Sequence, residues 1–200
     1  MSSNYQVIVK QNLKAIFADD LEERAEAMAA VWNGQFLSFN AFGMPCRMSP
    51  EGIFLQEQPQ IGPVGILLTL YALHAIVEPI RVEPFKAFKE IPNSIPYAGA
   101  FSNHTEKVLV PKADRIIEHR QLIIDRLDGR EAPAATGGDD ALVVHPLPKI
   151  ALLYIFYAAD EDFPASATCL YSNNANAFMP VDGLADVGEY TSKAILDLIG

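Results

Sequence analysis

Three consecutive carboxylates, Asp160-Glu161-Asp162, are the densest run of chemically useful side chains in the sequence. Such a run can offer oxygen ligands to a hard cation. Its spacing is not that of a calcium-binding loop, which needs a Gly at its sixth position and a Glu at its twelfth. A solvated turn whose acids cap the next segment is the simpler reading, so no metal is expected. Among the four histidines, His74, His104, His119 and His145, no metalloprotease spacing occurs. His145 precedes Pro146 at the end of an expected strand, so it is the histidine placed to join the acidic loop in acid–base chemistry. His74 sits in an apolar stretch and reads as a core residue. Asp182, Asp186 and Glu189 share one face of a helix at i, i+4 and i+7. They read as a solvated face, with Glu189 and Lys193 paired. No serine stands in a nucleophile elbow, and neither Cys46 nor Cys169 has a histidine beside it. The only glycine pair, Gly137-Gly138, lacks the Lys-Ser/Thr of a phosphate loop. No CxxC pair exists for a zinc ribbon or an iron–sulfur cluster. No cofactor is expected.

These residues need elements to hold them. The chain has 200 residues, half of them hydrophobic, which suits a single domain over residues 1–200. A net charge of −10 repels a phosphate backbone and argues against nucleic acid. The longest apolar stretch, 61–77, is interrupted and falls short of the ~20 residues that span a bilayer. No membrane association is therefore expected, and a soluble, cytoplasmic protein with two free thiols is.

Apolar periodicity predicts a helix from Asn4, an N-cap at Asp19-Asp20 and a second helix from Leu21 to Trp32. Alternation over 35–48 predicts strands, with a turn at Gly43-Met44-Pro45. Pro63 opens a helix running to about Val77, apolar on nearly every side and therefore central. Prolines at 79, 84, 92 and 96 predict loops and short strands. Residues 97–127 are helical with a break near Pro111, and Gly129 supplies the left-handed cap. Segments 141–144, 150–157 and 168–171 are strands, the second in mid-sheet because both its faces are apolar. A helix from Asp182 to Ile199 closes an α+β fold with a mixed or antiparallel sheet packed by several helices. Segment 79–130 alone carries net positive charge, and its bases are expected to dock on the acidic loop.

Several stretches occur in a familiar order: Phe88-Lys89-Glu90-Ile91-Pro92 with Tyr97 and Ala100-Phe101, Pro146-Leu147-Pro148-Lys149-Ile150, Asp160 to Ala165, and Asn173 to Pro180. The order resembles the bacterial family of domain of unknown function 3786. It departs at Ala159, where Gly is expected, and at Ser172, where Asp is expected. Some members are described as iron–sulfur proteins, through a cysteine-rich module that has no counterpart here. The resemblance implies a non-enzymatic binding or accessory protein in the metallo- or corrinoid-type metabolism of anaerobes, with a protein partner or small ligand. The alternative is a small enzyme using His145, Asp160 and Asp162.

Overall fold

The computed structural model describes residues 4–159, 161 and 163–200. Two helices open the chain, α1 (Asn4–Ile16) and α2 (Leu21–Met28). The Asp20 carboxylate accepts from the N–H groups of Glu22 and Glu23, so the cap is where the sequence puts it. The second helix ends four residues early. Ala29 turns left-handed (φ 52°), and Val31 and Trp32, β-branched and aromatic, pair with Ser38 and Leu37 instead.

That pair, β1 (Val31–Trp32), starts a five-stranded antiparallel meander with β2 (Leu37–Ala41), β3 (Met44–Ser49), β4 (Gly52–Leu55) and β5 (Gln58–Pro59). Leu37, Phe39, Cys46, Met48, Ile53 and Leu55 turn inward. Asn40, Arg47 and Phe54 turn to solvent. The β2–β3 turn falls at Phe42-Gly43, one residue before the expected place. A Cβ on Gly43 (φ +72°) would lie 1.7 Å from the Arg126 carbonyl oxygen, so glycine must hold that corner.

Helix α3 (Pro63–His74) follows, with Leu67, Leu68, Tyr71 and Ala72 buried. It stops at His74, where Ala75 becomes extended (ψ 137°), short of Val77. His74 is exposed at its end and is not a core residue. Residues 76–85 then run as a proline-rich strap to β6 (Lys86–Ala87). Next come α4 (Ala98–Phe101), a π-helical turn (Ser102–Glu106), α5 (Ala113–Glu118) and α6 (Arg120–Arg126). The positive φ after α6 belongs to Asp128 (50°), not to Gly129. Gly129 is needed for closeness: its Cβ would meet Ile124 Cα and the Val143 carbonyl at 2.8 Å.

The second sheet is antiparallel, ordered β6, β10 (Ser166–Tyr171), β9 (Ile150–Tyr157), β8 (Asp140–Leu147), β7 (Arg130–Glu131). Strand β9 is central, as its apolar run predicts. Leu152, Tyr154 and Phe156 join the main core with α7 (Val181–Ile199). On the other face Ala151, Leu153 and Ile155 meet Ile80, Val82 and Phe85 of the strap. The Phe42 N–H donates to the Pro146 carbonyl at 2.8 Å, joining the sheets at a corner. One contiguous core runs through both. The fold is α+β. No helix among the described residues is long and apolar enough to cross a membrane.

Candidate functional site

Strand register decides how far apart the residues singled out in the sequence lie. On β8 and β9, Asp140 faces Phe156 and Leu147 faces Ile150. His145 therefore sits near the β8–β9 hairpin, while Ala158 and Ala159, which precede the acidic run in sequence, leave β9 at its opposite end. At ~3.3 Å per residue, the strand between those ends spans roughly 20 Å. The Nδ1 of His145 lies 2.9 Å from the Asp128 carbonyl, fastening the hairpin to the end of α6. Glu161 is exposed, and Asp160 and Asp162 lie outside the described residues. Arg120, from the basic middle segment, docks on Glu131 through two nitrogens and on Asp140 at 3.1 Å. Among the described residues, no three His, Cys, Asp or Glu side chains converge as a metal-ligand set. Both thiols are buried; burial pushes Cys46 up to about 12, and Cys169 is raised well above its ordinary value by the same cause.

A different place has the make-up of a ligand site. A cleft of about 420 Å³ opens between the β2–β3 and β4–β5 turns of the first sheet and helix α7. Its walls are apolar: Phe42 and Met44 from the β2–β3 turn, Leu55 from β4, Val64 from α3, and Tyr190 and Ala194 from α7. Three carboxamides, Gln56, Gln58 and Gln60, line one side. Ligand pockets commonly hold ~300–1,000 Å³ with apolar walls and a few convergent polar groups.

Local structure explains how these residues arrive. Gln56 and Glu57 form the β4–β5 turn, both with positive φ (47° and 65°). A two-residue hairpin turn of that hand prefers Asn-Gly, because other side chains crowd the backbone at positive φ. Strained non-glycine residues cluster at ligand sites, and here the strained turn supplies cleft-lining Gln56. The Gln60 carboxamide donates to the main-chain carbonyl of Gln58 at 3.1 Å, which holds that side chain against β5. From α7, Tyr190, Lys193, Ala194 and Asp197 share a face at i, i+3, i+4 and i+7. The Phe42 and Tyr190 rings lie 6.2 Å apart across the cleft floor. Lys193 Nζ stands 5.1 Å over the Tyr190 ring and is engaged by Glu189, whose hydrogen bond raises the Lys193 pKa. Lys193 is thus already paired, while Asp197 on the same face takes part in none of the ion pairs among the described residues.

A second depression, about 340 Å³ beside His74, has a structural explanation. Its Arg24 donates to the Ala72, Leu73 and Ala75 carbonyls and pairs with Asp19, so it caps the end of α3.

The cleft residues carry no motif, and their signal was faint. Gln56, Gln58 and Gln60 alternate at the strand period, and Tyr190, Lys193 and Asp197 recur at the helical one. Neither pattern differs from an ordinary solvated face until the fold sets the two against each other.

Comparison with known families gives one finding. A family model described as domain of unknown function 3786 matches residues 20–194. The chain belongs to this family. No curated protein and no solved structure matches it. Two of the stretches that carry the DUF3786 resemblance, Pro146 to Ile150 and Asn173 to Pro180, meet at the strap. Lys149 is buried, donates to the Ile76 and Glu78 carbonyls at 3.1 and 3.0 Å, and lies 5.4 Å over the Phe178 ring. Asn174 accepts from the Arg81 N–H at 2.7 Å and donates to the Pro79 carbonyl at 3.0 Å. Asn173 donates to the Pro84 carbonyl at 3.0 Å. The Pro146–Ile150 and Asn173–Pro180 stretches therefore button the strap across the sheet. Glu90 accepts from the Ala87 N–H at 2.7 Å, closing the turn after β6.

Proposed function

We propose that the protein is a non-catalytic binding protein whose ligand occupies the cleft between the hairpin turns and α7. The observation that supports this is the lining itself, six apolar side chains faced by three carboxamides. A carboxamide both donates and accepts, so it pairs with groups of its own kind. With Lys193 already held by Glu189 and the Asp197 carboxylate at the rim able to accept, the lining suits a compact, mostly apolar ligand bearing an amide or hydroxyl group. An accessory role in the metallo- or corrinoid-type metabolism of anaerobes belongs to the same proposal and is supported by family analogy. So does a cytoplasmic location, supported by two buried free thiols.

The test is a thermal-shift and NMR titration with small carboxamides, carboxylates and amines, on the wild type and on Ala194→Phe, which fills the cleft. Carboxamides should bind the wild type and not the filled variant, with both proteins melting alike without ligand. Absence of binding by all three classes, or equal binding to both proteins, would sink the reading.

A further inference from the structure

The outer face of the first sheet carries two aromatic side chains that the core does not use, Phe36 and Phe54, beside two that lie at its margin, Phe17 and Trp32. Two shallow depressions there, of about 230 and 570 Å³, share Phe36 and Ser49 and so form one groove. Phe54 is 37% exposed on the solvent side of β4, directly opposite Arg47 on β3. The Arg47 guanidinium lies 5.6 Å over the Phe36 ring and pairs with Glu57. At the other end Trp32 and Phe17 line the groove, ring centroids 6.1 Å apart and tilted by 58°. Glu51, at the β3–β4 turn, lines the same end as Trp32 and Phe17.

We propose that this groove binds an extended, proline-containing peptide segment of a partner protein that also carries a Lys or Arg. The aromatic faces are spread along a shallow surface rather than gathered in a pit, which suits a narrow extended chain. Proline-rich segments are already extended before binding and lose little entropy. Their pyrrolidine rings pack on aromatic faces. Their backbone carbonyls have no internal donors, and the Trp32 indole N–H is a donor of the right kind.

Charge settles the sign of the flanking residue. Arg47 is engaged by Glu57, while Glu51 takes part in none of the ion pairs among the described residues. The Ser49 hydroxyl holds the Glu51 carboxyl below its ordinary value, so it stays ionised. A basic residue on the ligand meets that carboxylate on a protein of net charge −10.

The inference is independent of the cleft beside α7. Trp32 is the only tryptophan in the chain, so its fluorescence reports directly on this groove. The experiment screens an array of ten-residue peptides, with and without prolines and with Lys/Arg or Asp/Glu at either end. It then titrates those selected against Trp32 emission in the wild type, Phe54→Ser and Ala194→Phe. Selection of proline-containing basic peptides is expected, with a saturable change in emission. Affinity should fall at least tenfold in Phe54→Ser and not change in Ala194→Phe. Exchanging the base for Glu should cost tenfold or more, less so at high salt. The proposal is overturned by selection that ignores proline, by selection of acidic peptides, by equal binding to Phe54→Ser, or by no selection. It is also overturned if the emission change follows only protein concentration, which would mean a second copy of the chain fills the groove.

Discussion

Lys149 shows what one buried side chain can be worth. Its ammonium group satisfies two strap carbonyls and covers an aromatic ring, although burial lowers its pKa. Lys149→Met keeps the stem and removes the donor. It should cost ~1–3 kcal/mol in urea denaturation, the range for orphaned buried acceptors. The carboxylates of α7 act through pH and in opposite directions. Glu189 is held below the ordinary 4.5, chiefly by the Lys193 hydrogen bond. The stability it contributes is complete above the ordinary value and is lost as pH falls through the folded one. Asp186 is raised above 3.8, by burial first and then by Glu189 and Asp182. The folded state holds that proton more tightly, so stability is lost as pH climbs past the ordinary value. Asp186→Asn should therefore raise Tm by about 1–2 °C at pH 7, in the range of surface substitutions, and give no gain at pH 3. At this scale the sequence was a poor guide. The Lys149 stretch stood out as a pattern, but its partners at Ile76 and Glu78 are more than 70 positions upstream. The three glutamines of the cleft have no distinctive spacing until α7 is laid across from them.

Helix α3 and the β4–β5 hairpin make contrasting predictions. Leu68 is fully buried in α3, so Leu68→Ala should cost ~2–5 kcal/mol in urea denaturation. The hairpin turn should respond the other way. Replacing Gln56-Glu57 by Asn-Gly relieves two positive-φ positions and should stabilise the fold by roughly 1 kcal/mol. The same double variant draws one cleft carboxamide back by a methylene, since Asn is shorter than Gln, so the gain in Tm should come with weaker ligand binding. A turn that gained stability without losing binding would count against the cleft. Elements with long apolar periods, such as α1, α3, β9 and α7, were legible within a few residues of their ends. Those ends moved where a tertiary contact overrode local preference. Val31 and Trp32 left α2 for a strand pairing, and the β2–β3 turn moved because only Gly43 fits against Arg126. The helical stretch after Tyr97 was legible as helix but not as its several pieces.

Across the whole molecule, one core ties the two sheets together, with Leu37 and Met48 of the first and Leu152 and Tyr154 of the second in the same cluster. Unfolding should therefore be a single event. Trp32 fluorescence, which reports on the first sheet, and far-ultraviolet dichroism, which reports on all elements, should give coincident urea transitions. Two separated midpoints would mean the corner from Phe42 to Pro146 is too weak to couple the sheets. The α+β class and the central place of β9 were readable because composition and two-sided apolarity constrain them directly. That the strands divide into two sheets was not, since the division depends on which distant strands find each other.

Both sheets end on each side in strands of two residues, β1 and β5 in one, β6 and β7 in the other. Those borders carry Pro59, Lys86, Arg130 and Glu131. A foreign strand arriving at any of them finds too few free amides to template growth, and at β5, β6 and β7 it also meets a charge or a proline where it would pair. The apolar strands inside, β9 above all, have the composition of fibril-forming segments. Their short neighbours keep that tendency silent while the chain is folded, so resistance to fibril growth should last only as long as these borders stay paired.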